Sequence, residues 1–275
     1  MRDILVYVRH FDPWTRATQY GVRLAALLRG AVTGVYAYPS PLNYGAPIDL
    51  APEVLAVMLE NTRSLEARAL QREEPFVSWA TSQGAEQAAW LVAEGEPARV
   101  LAHLGVWHDL LVLDRSESAH QGSPSDLASL LLAADLPCIL VPASDVGELR
   151  LDCIAIAWNG APEAVRAIHA SLPLLQRAGR VVLLAGAQRE YYGVAWKPPF
   201  DIDLYLKRHG VRAERVPLSA DDEYAGVALL AAAEKLSANL LVMGAYGRSR
   251  FSEWILGGAT REVLAGAGLP VFLRH

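Results

Sequence analysis

The chain carries one pattern twice, and no other feature limits its possible folds as much. Asp3-Ile4-Leu5-Val6-Tyr7-Val8 and Asp152-Cys153-Ile154-Ala155-Ile156-Ala157 are each an apolar run after an acidic residue, and each leads through a turn into an alanine-rich helical pattern, Thr15 to Leu28 and Pro162 to Arg177. Gly30 and Gly179 then read as helix stops, and a second strand follows in each half, Ala31 to Tyr36 and Arg180 to Leu184. Further on, Asp109 to Leu113 matches Asn239 to Met243, and Leu136-Pro137-Cys138 matches Leu269-Pro270-Val271, with proline at a strand start where its missing N–H costs least. Strands that are apolar along their whole length and alternate with helices predict parallel sheets covered on both faces. The expected fold is therefore α/β: two tandem Rossmann-like domains, each with a five-stranded parallel sheet flanked by helices. The polar segment Ala143 to Glu148 puts the boundary near Gly147, giving domains 1–146 and 147–275.

At 275 residues and 52% hydrophobic content the chain can fill two cores, and a net charge of −5 leaves no basic footprint for nucleic acid. The richest apolar runs, Leu127 to Val141 and Ala225 to Ala233, are interrupted or flanked by Asp135, Pro137 and Glu234, so no membrane span is expected. Met1-Arg2-Asp3 enters a strand-like run directly, without the apolar region and cleavage site of a secretory signal, which predicts a cytoplasmic protein. Cys138 and Cys153 lie in apolar runs and read as buried, inert thiols. The seven histidines are scattered without metal-ligand spacing, and no nucleophile elbow is present.

Chemistry is expected in the second half. Met243-Gly244-Ala245-Tyr246-Gly247-Arg248-Ser249 follows an apolar strand, and Gly257-Gly258-Ala259-Thr260 opens a helical segment that runs to Ala265. Glycine permits close backbone approach, while the first turn of a helix offers unpaired N–H groups and the positive end of its dipole, so the pattern suits a phosphate. Arg248, Ser249 and Thr260 stand alongside as side-chain donors. The plainer alternative is that these glycines only permit a tight strand-to-helix connection. In an open parallel sheet a ligand lies beyond the carboxyl ends of the strands where their order reverses. That rule brings in Trp158-Asn159-Gly160 and the backbone near Leu184, which can meet a base or a ribose. Asn159 can equally serve only to start the following helix. Neither the GxxxxGK[ST] loop nor a GxGxxG after a first strand occurs.

The spacing Gly244-x2-Gly247-x9-Gly257, the Ile154 to Gly160 opening and the Leu269-Pro270-Val271 strand resemble the universal stress proteins, and the whole chain resembles their tandem form. The resemblance implies five parallel strands per domain, association of two domains through their last strands, and binding of ATP or a related adenine nucleotide (AMP or ADP, with Mg²⁺ beside the phosphates) in some members but not in others. Carried onto this chain, it makes Gly244, Gly247 and Gly257 the phosphate-loop glycines, with Met243 before them. Asn159 stands where the family usually has an aspartate near the nucleoside, and Gly258 where binding members have a serine or threonine. Loss of that hydroxyl removes a hydrogen bond to a charged group, worth about 1.5–3 kcal/mol.

In the first half Asp114 replaces the first loop glycine, and Asp114, Glu117 and Asp126 would repel phosphate. Arg9 takes the place of Asn159. This half is expected to be a non-binding copy, although Arg9, Arg115 and His120 leave a different anion open. The function expected is that of a regulatory stress-response protein whose second domain binds an adenine nucleotide and whose association with a protein partner changes with occupancy. The alternative is an interaction scaffold without nucleotide. Catalysis is expected to be absent or limited to slow ATP hydrolysis, because Glu253 is the only carboxylate in the loop. The two halves are expected to pair within one chain, with monomer and homodimer both open.

Overall fold

The computed structural model describes residues 1–39, 51–115, 124–144, 147–186, 201–218, 225–245 and 258–275. Two compact units divide the chain: Met1–Asp114 with Asp126–Leu136, and Arg115–Ser125 with Pro137–His275.

The first unit contains β1 (Asp3–Tyr7), α1 (Arg16–Leu28), β2 (Ala31–Tyr38), α2 (Pro52–Leu70), α3 (Glu73–Ser82), β3 (Gln87–Glu94), α4 (Pro97–Gly105), β4 (Leu110–Asp114) and α5 (Pro124–Ala134) from Asp126 onward. Its strands run parallel in the order β3-β2-β1-β4. Ile4, Leu5, Val6, Leu110, Leu111 and Val112 are wholly buried, each such side chain contributing about 1.5–3 kcal/mol of transfer free energy. α1 starts where Thr15 accepts a hydrogen bond from the Thr18 amide, and it buries Ala17, Tyr20, Gly21, Leu24 and Leu28, one face at helical spacing. Two helices precede β3, α2 ending at Leu70 and α3 starting at Glu73.

The second unit contains β5 (Cys138–Val141), β6 (Cys153–Trp158), α6 (Pro162–Leu175), β7 (Arg180–Ala185), α7 (Ile202–Arg208), β8 (Ala213–Pro217), α8 (Ala225–Lys235), β9 (Leu240–Gly244), α9 (Gly258–Gly266) and β10 (Val271–Arg274). The order is β5-β10-β9-β6-β7-β8, parallel from β10 to β8. β5, the last strand of the first half, pairs antiparallel with β10, the last strand of the second, with Ile139 opposite Phe272. Each half thus supplies five strands, and the fifth of the first half is counted with the second unit.

The repetition reaches atomic detail. Gly30 and Gly179 each back onto the carbonyl of the residue preceding the first strand of their half, Arg2 and Asp152; an added Cβ would stand 2.2 Å from the Arg2 oxygen, which excludes it, and 3.0 Å from the Asp152 oxygen, which leaves it tight. The left-handed residue that ends α1 is Arg29, with φ 53°, so Gly30 is needed for this close approach rather than for the helix stop itself.

Candidate functional site

In the second unit the strand order reverses between β6 and β9, and the residues that follow these two strands flank the switch point. Ile156 and Val242 are the last register pair of β6 and β9, and Gly244 is level with Arg274 of β10. The carboxyl ends of β6, β9 and β10 therefore carry Trp158, Gly244 and Arg274 beyond or at the end of this pairing.

Trp158 is 9% exposed, and its indole Nε1–H finds no acceptor among the described residues. A buried donor of this kind costs about 1–3 kcal/mol unless something pairs with it. Asn159 turns its Oδ1 onto the Ala161 amide at 3.0 Å, an Asx turn that delivers the chain into α6. Gly160 lies between them at φ 79°, in the left-handed region. Leu184 is wholly buried and sits inside the ladder on both sides, opposite Ala157 and Val216. The free margin of β7 is one step further along, where the Gly186 amide donates to the Trp158 carbonyl at 2.9 Å.

Met243 is buried beside Leu273. A Cβ on Gly244 would stand 2.6 Å from both the Ala164 amide nitrogen and the Glu163 carbonyl carbon, so glycine is what lets β9 end directly against the first turn of α6. Gly247, Arg248, Ser249 and Gly257 lie outside the described residues. At the far side of that interval Gly258 opens α9, exposed, with no atom of the described residues within 4 Å of the place its Cβ would take. Ala259 is half-buried, and Thr260 is buried in the unit.

Glu163 is a residue that sequence reasoning missed. It lies in the first turn of α6 with its side chain 14% exposed; one carboxylate oxygen accepts from Arg166 at 3.1 Å, while Oε2 is buried without a donor among the described residues. Arg166 also donates to the His275 carbonyl at 3.1 Å. The signal available was only an acidic residue in a helix's first turn, where the dipole favours it; the nearness of Gly244 comes from the fold.

The first unit treats the same place differently. Asp114, which ends β4 as Gly244 ends β9, directs Oδ1 to the Ala17 amide in the first turn of α1 at 3.0 Å. Burial pushes its pKa up, opposed by the Thr15 hydroxyl, the Ala17 amide and the charges of Arg9 and His10. The free N-terminus of this helix is thus occupied by a carboxylate of the chain itself. Arg9 lies over the Tyr7 ring at 5.7 Å, Arg115 donates to the Leu264 carbonyl at 3.3 Å, and His120 lies outside the described residues. Among the described residues no group of three or more His, Cys, Asp or Glu side chains is placed to hold a metal, and no helix is long and apolar enough to cross a membrane.

Parallel strands, crossover helices and a crevice at a reversal of strand order define the class of Rossmann-like α/β domains. Within that class, residues 159–274 match the model of the universal stress protein family. Among solved structures, a universal stress protein from Archaeoglobus fulgidus DSM 4304 is similar at 14% identity and TM-score 0.65 over 99% of this chain and 95% of its own. A functionally unknown protein from Pseudomonas aeruginosa PAO1 is similar at 15% identity and TM-score 0.56, over 100% of this chain and 92% of its own. A putative universal stress protein from Pseudomonas aeruginosa UCBPP-PA14 is similar at 14% identity and TM-score 0.55, over 100% and 93%. At these identities the likeness is one of fold, and it extends over the half that the family model leaves out. No curated protein matches the sequence.

Proposed function

We propose that the second half, 147–275, is a nucleotide-responsive regulatory domain that binds ATP, ADP or AMP, and that the first half, 1–146, is a structural copy that binds none. The observation that carries this reading is the contrast between two helix starts: among the described residues nothing lies within 4 Å of where a Cβ on Gly258, the first residue of α9, would stand, whereas the first turn of α1 donates to the Asp114 carboxylate. A phosphate at α9 would meet unpaired backbone N–H groups and the positive end of the helix dipole. Gly247, Arg248, Ser249 and Gly257 complete this phosphate site in the proposal, and Trp158 with Asn159 and Gly160 borders the nucleoside. The buried Trp158 N–H fits a ligand acceptor. Occupancy would alter association with a protein partner.

A second reading is favoured by one observation. Gly244 has a packing reason to be glycine, and Asn159 is already engaged with Ala161, so two of the motif residues are accounted for without a ligand. In that reading the chain is an interaction scaffold. Thermal-shift measurements with ATP, ADP and AMP separate the two: a ligand that binds only the folded state raises the midpoint by mass action, and Gly247→Val abolishes the rise if the loop holds phosphate. No shift at millimolar nucleotide favours the scaffold.

A further inference from the structure

β3 forms one side of the first unit's sheet, and no described strand pairs with its outer edge. Tyr38 and Glu94 are register partners, and the Gly95 amide donates to the Tyr38 carbonyl at 2.8 Å. In a parallel ladder alternate residues face the same neighbour. The amides of Ala89, Leu91 and Ala93 therefore face β2, and those of Ala88, Trp90, Val92 and Glu94 face outward. The register is continuous from Gln87 to Glu94, with no bulge, proline, lysine or arginine, so the strand itself carries none of the sequence devices that usually blunt an edge.

Beside this edge a groove of about 900 Å³ runs between the end of β3 and α4, with Leu91, Val92, Val100 and Leu104 in its wall. Leu91 is 38% exposed, so the apolar wall is open. The ends of the strand are acidic. Glu86 precedes it, and Glu94 closes it near Glu66 of α2; after burial, a hydrogen bond to Glu66 and the charges of Glu66 and Glu94 push the Tyr38 hydroxyl pKa up. Arg99 does not offset these charges, because it pairs with Glu96 at 3.3 Å.

We propose that the outer edge of β3 takes up an extended peptide of a partner protein as an added strand, with alternate apolar side chains in the groove and basic residues at the ends facing Glu86 and Glu94. Backbone hydrogen bonds give such an interaction its affinity, and the groove and the end charges give it selectivity. A second copy of this chain is a poor occupant: antiparallel pairing of β3 with itself sets Glu86 and Gln87 of one copy against Glu94 of the other, and like charges across a ladder repel.

The test uses the full chain and a fluorescein-labelled ten-residue peptide of alternating valine and threonine with a lysine at each end, read by anisotropy, with hydrogen exchange followed at β3. Saturable binding is expected, with slowed exchange at Ala88, Trp90 and Val92 and at least tenfold weaker binding of the same peptide ended in glutamate. Val92→Pro removes an outward amide at a position where edge strands tolerate proline, and should weaken binding at least tenfold. Should that variant not fold, Glu94→Lys should shift the preference toward the glutamate-ended peptide. Absence of saturable binding, no preference between the peptides, or protection located away from β3 would overturn the proposal. So would β3 protection that grows with protein concentration alone, which would assign the edge to a second copy.

Discussion

The Asp114 carboxylate accepts a hydrogen bond from the Ala17 amide at 3.0 Å, across 97 residues of sequence, and so seals the N-terminus of α1 with an anion of the chain's own. Gly244, at the matching end of β9, seals nothing and instead lets α6 come into direct backbone contact. One strand position thus has opposite consequences in the two halves.

Asp114 should cost stability as pH rises. Its folded-state pKa is raised above 3.8, chiefly by burial, so over the interval from 3.8 to the raised value the native state binds more protons than the unfolded state. Stability from this group is greatest below that interval and falls as pH rises through it. Asp114→Asn keeps an acceptor for Ala17 without the buried charge and should remove this slope. Asp114→Ala loses the cap and should cost about 1 kcal/mol. Urea unfolding of the three proteins from pH 4 to 7 checks both statements.

Gly244→Ala should destabilise the protein in the absence of any ligand. The new methyl would meet backbone atoms of Glu163 and Ala164 at 2.6 Å, and overpacking of this kind costs about 1–3 kcal/mol. Thermal unfolding without nucleotide is the measurement; an unchanged midpoint would mean that glycine is required there only for a ligand.

Gly258 should behave in the opposite way. Among the described residues nothing lies within 4 Å of its missing Cβ, so Gly258→Ser should leave folding unharmed and, by supplying a hydroxyl at the start of α9, tighten ATP binding by about tenfold or more, the equivalent of a charge-assisted hydrogen bond. Calorimetric titration of the variant against the parent gives the ratio, and equal affinities would place the phosphate elsewhere.

Asn159→Ala should lose about 0.5–2 kcal/mol of stability, because the Ala161 amide loses its acceptor at 3.0 Å. Asn159→Asp keeps that acceptor and should leave the midpoint within a degree or two of the parent. If both variants unfold like the parent, the Asx turn contributes nothing.

Much of this organisation was legible in the sequence because it is written in local patterns. The apolar runs at Ile4 to Val6 and Ile154 to Ile156, and the prolines before β5 and β10, mark strands through burial and missing amides that any parallel sheet would demand. The division between α2 and α3 had no comparable mark, since Gln71 and Arg72 are ordinary helix residues. The reading of Asp114 as hostile to phosphate was silent about its partner, because Ala17 is brought to it only by the packing of α1 against β4. Glu163 was hidden for the same reason: an acidic residue in a helix's first turn does not announce that the strand end at Gly244 will touch it. Thr260 read as a phosphate donor by proximity in sequence, and its burial in α9 comes from the fold.

The most direct test of the central claim is the stoichiometry of ATP binding to the intact chain, measured by isothermal titration calorimetry. One nucleotide per chain, lost in Gly247→Val and retained in Asp114→Asn, is the expected result. Two equivalent sites, or no heat of binding at millimolar ATP, would contradict the assignment of a single nucleotide site to the second half.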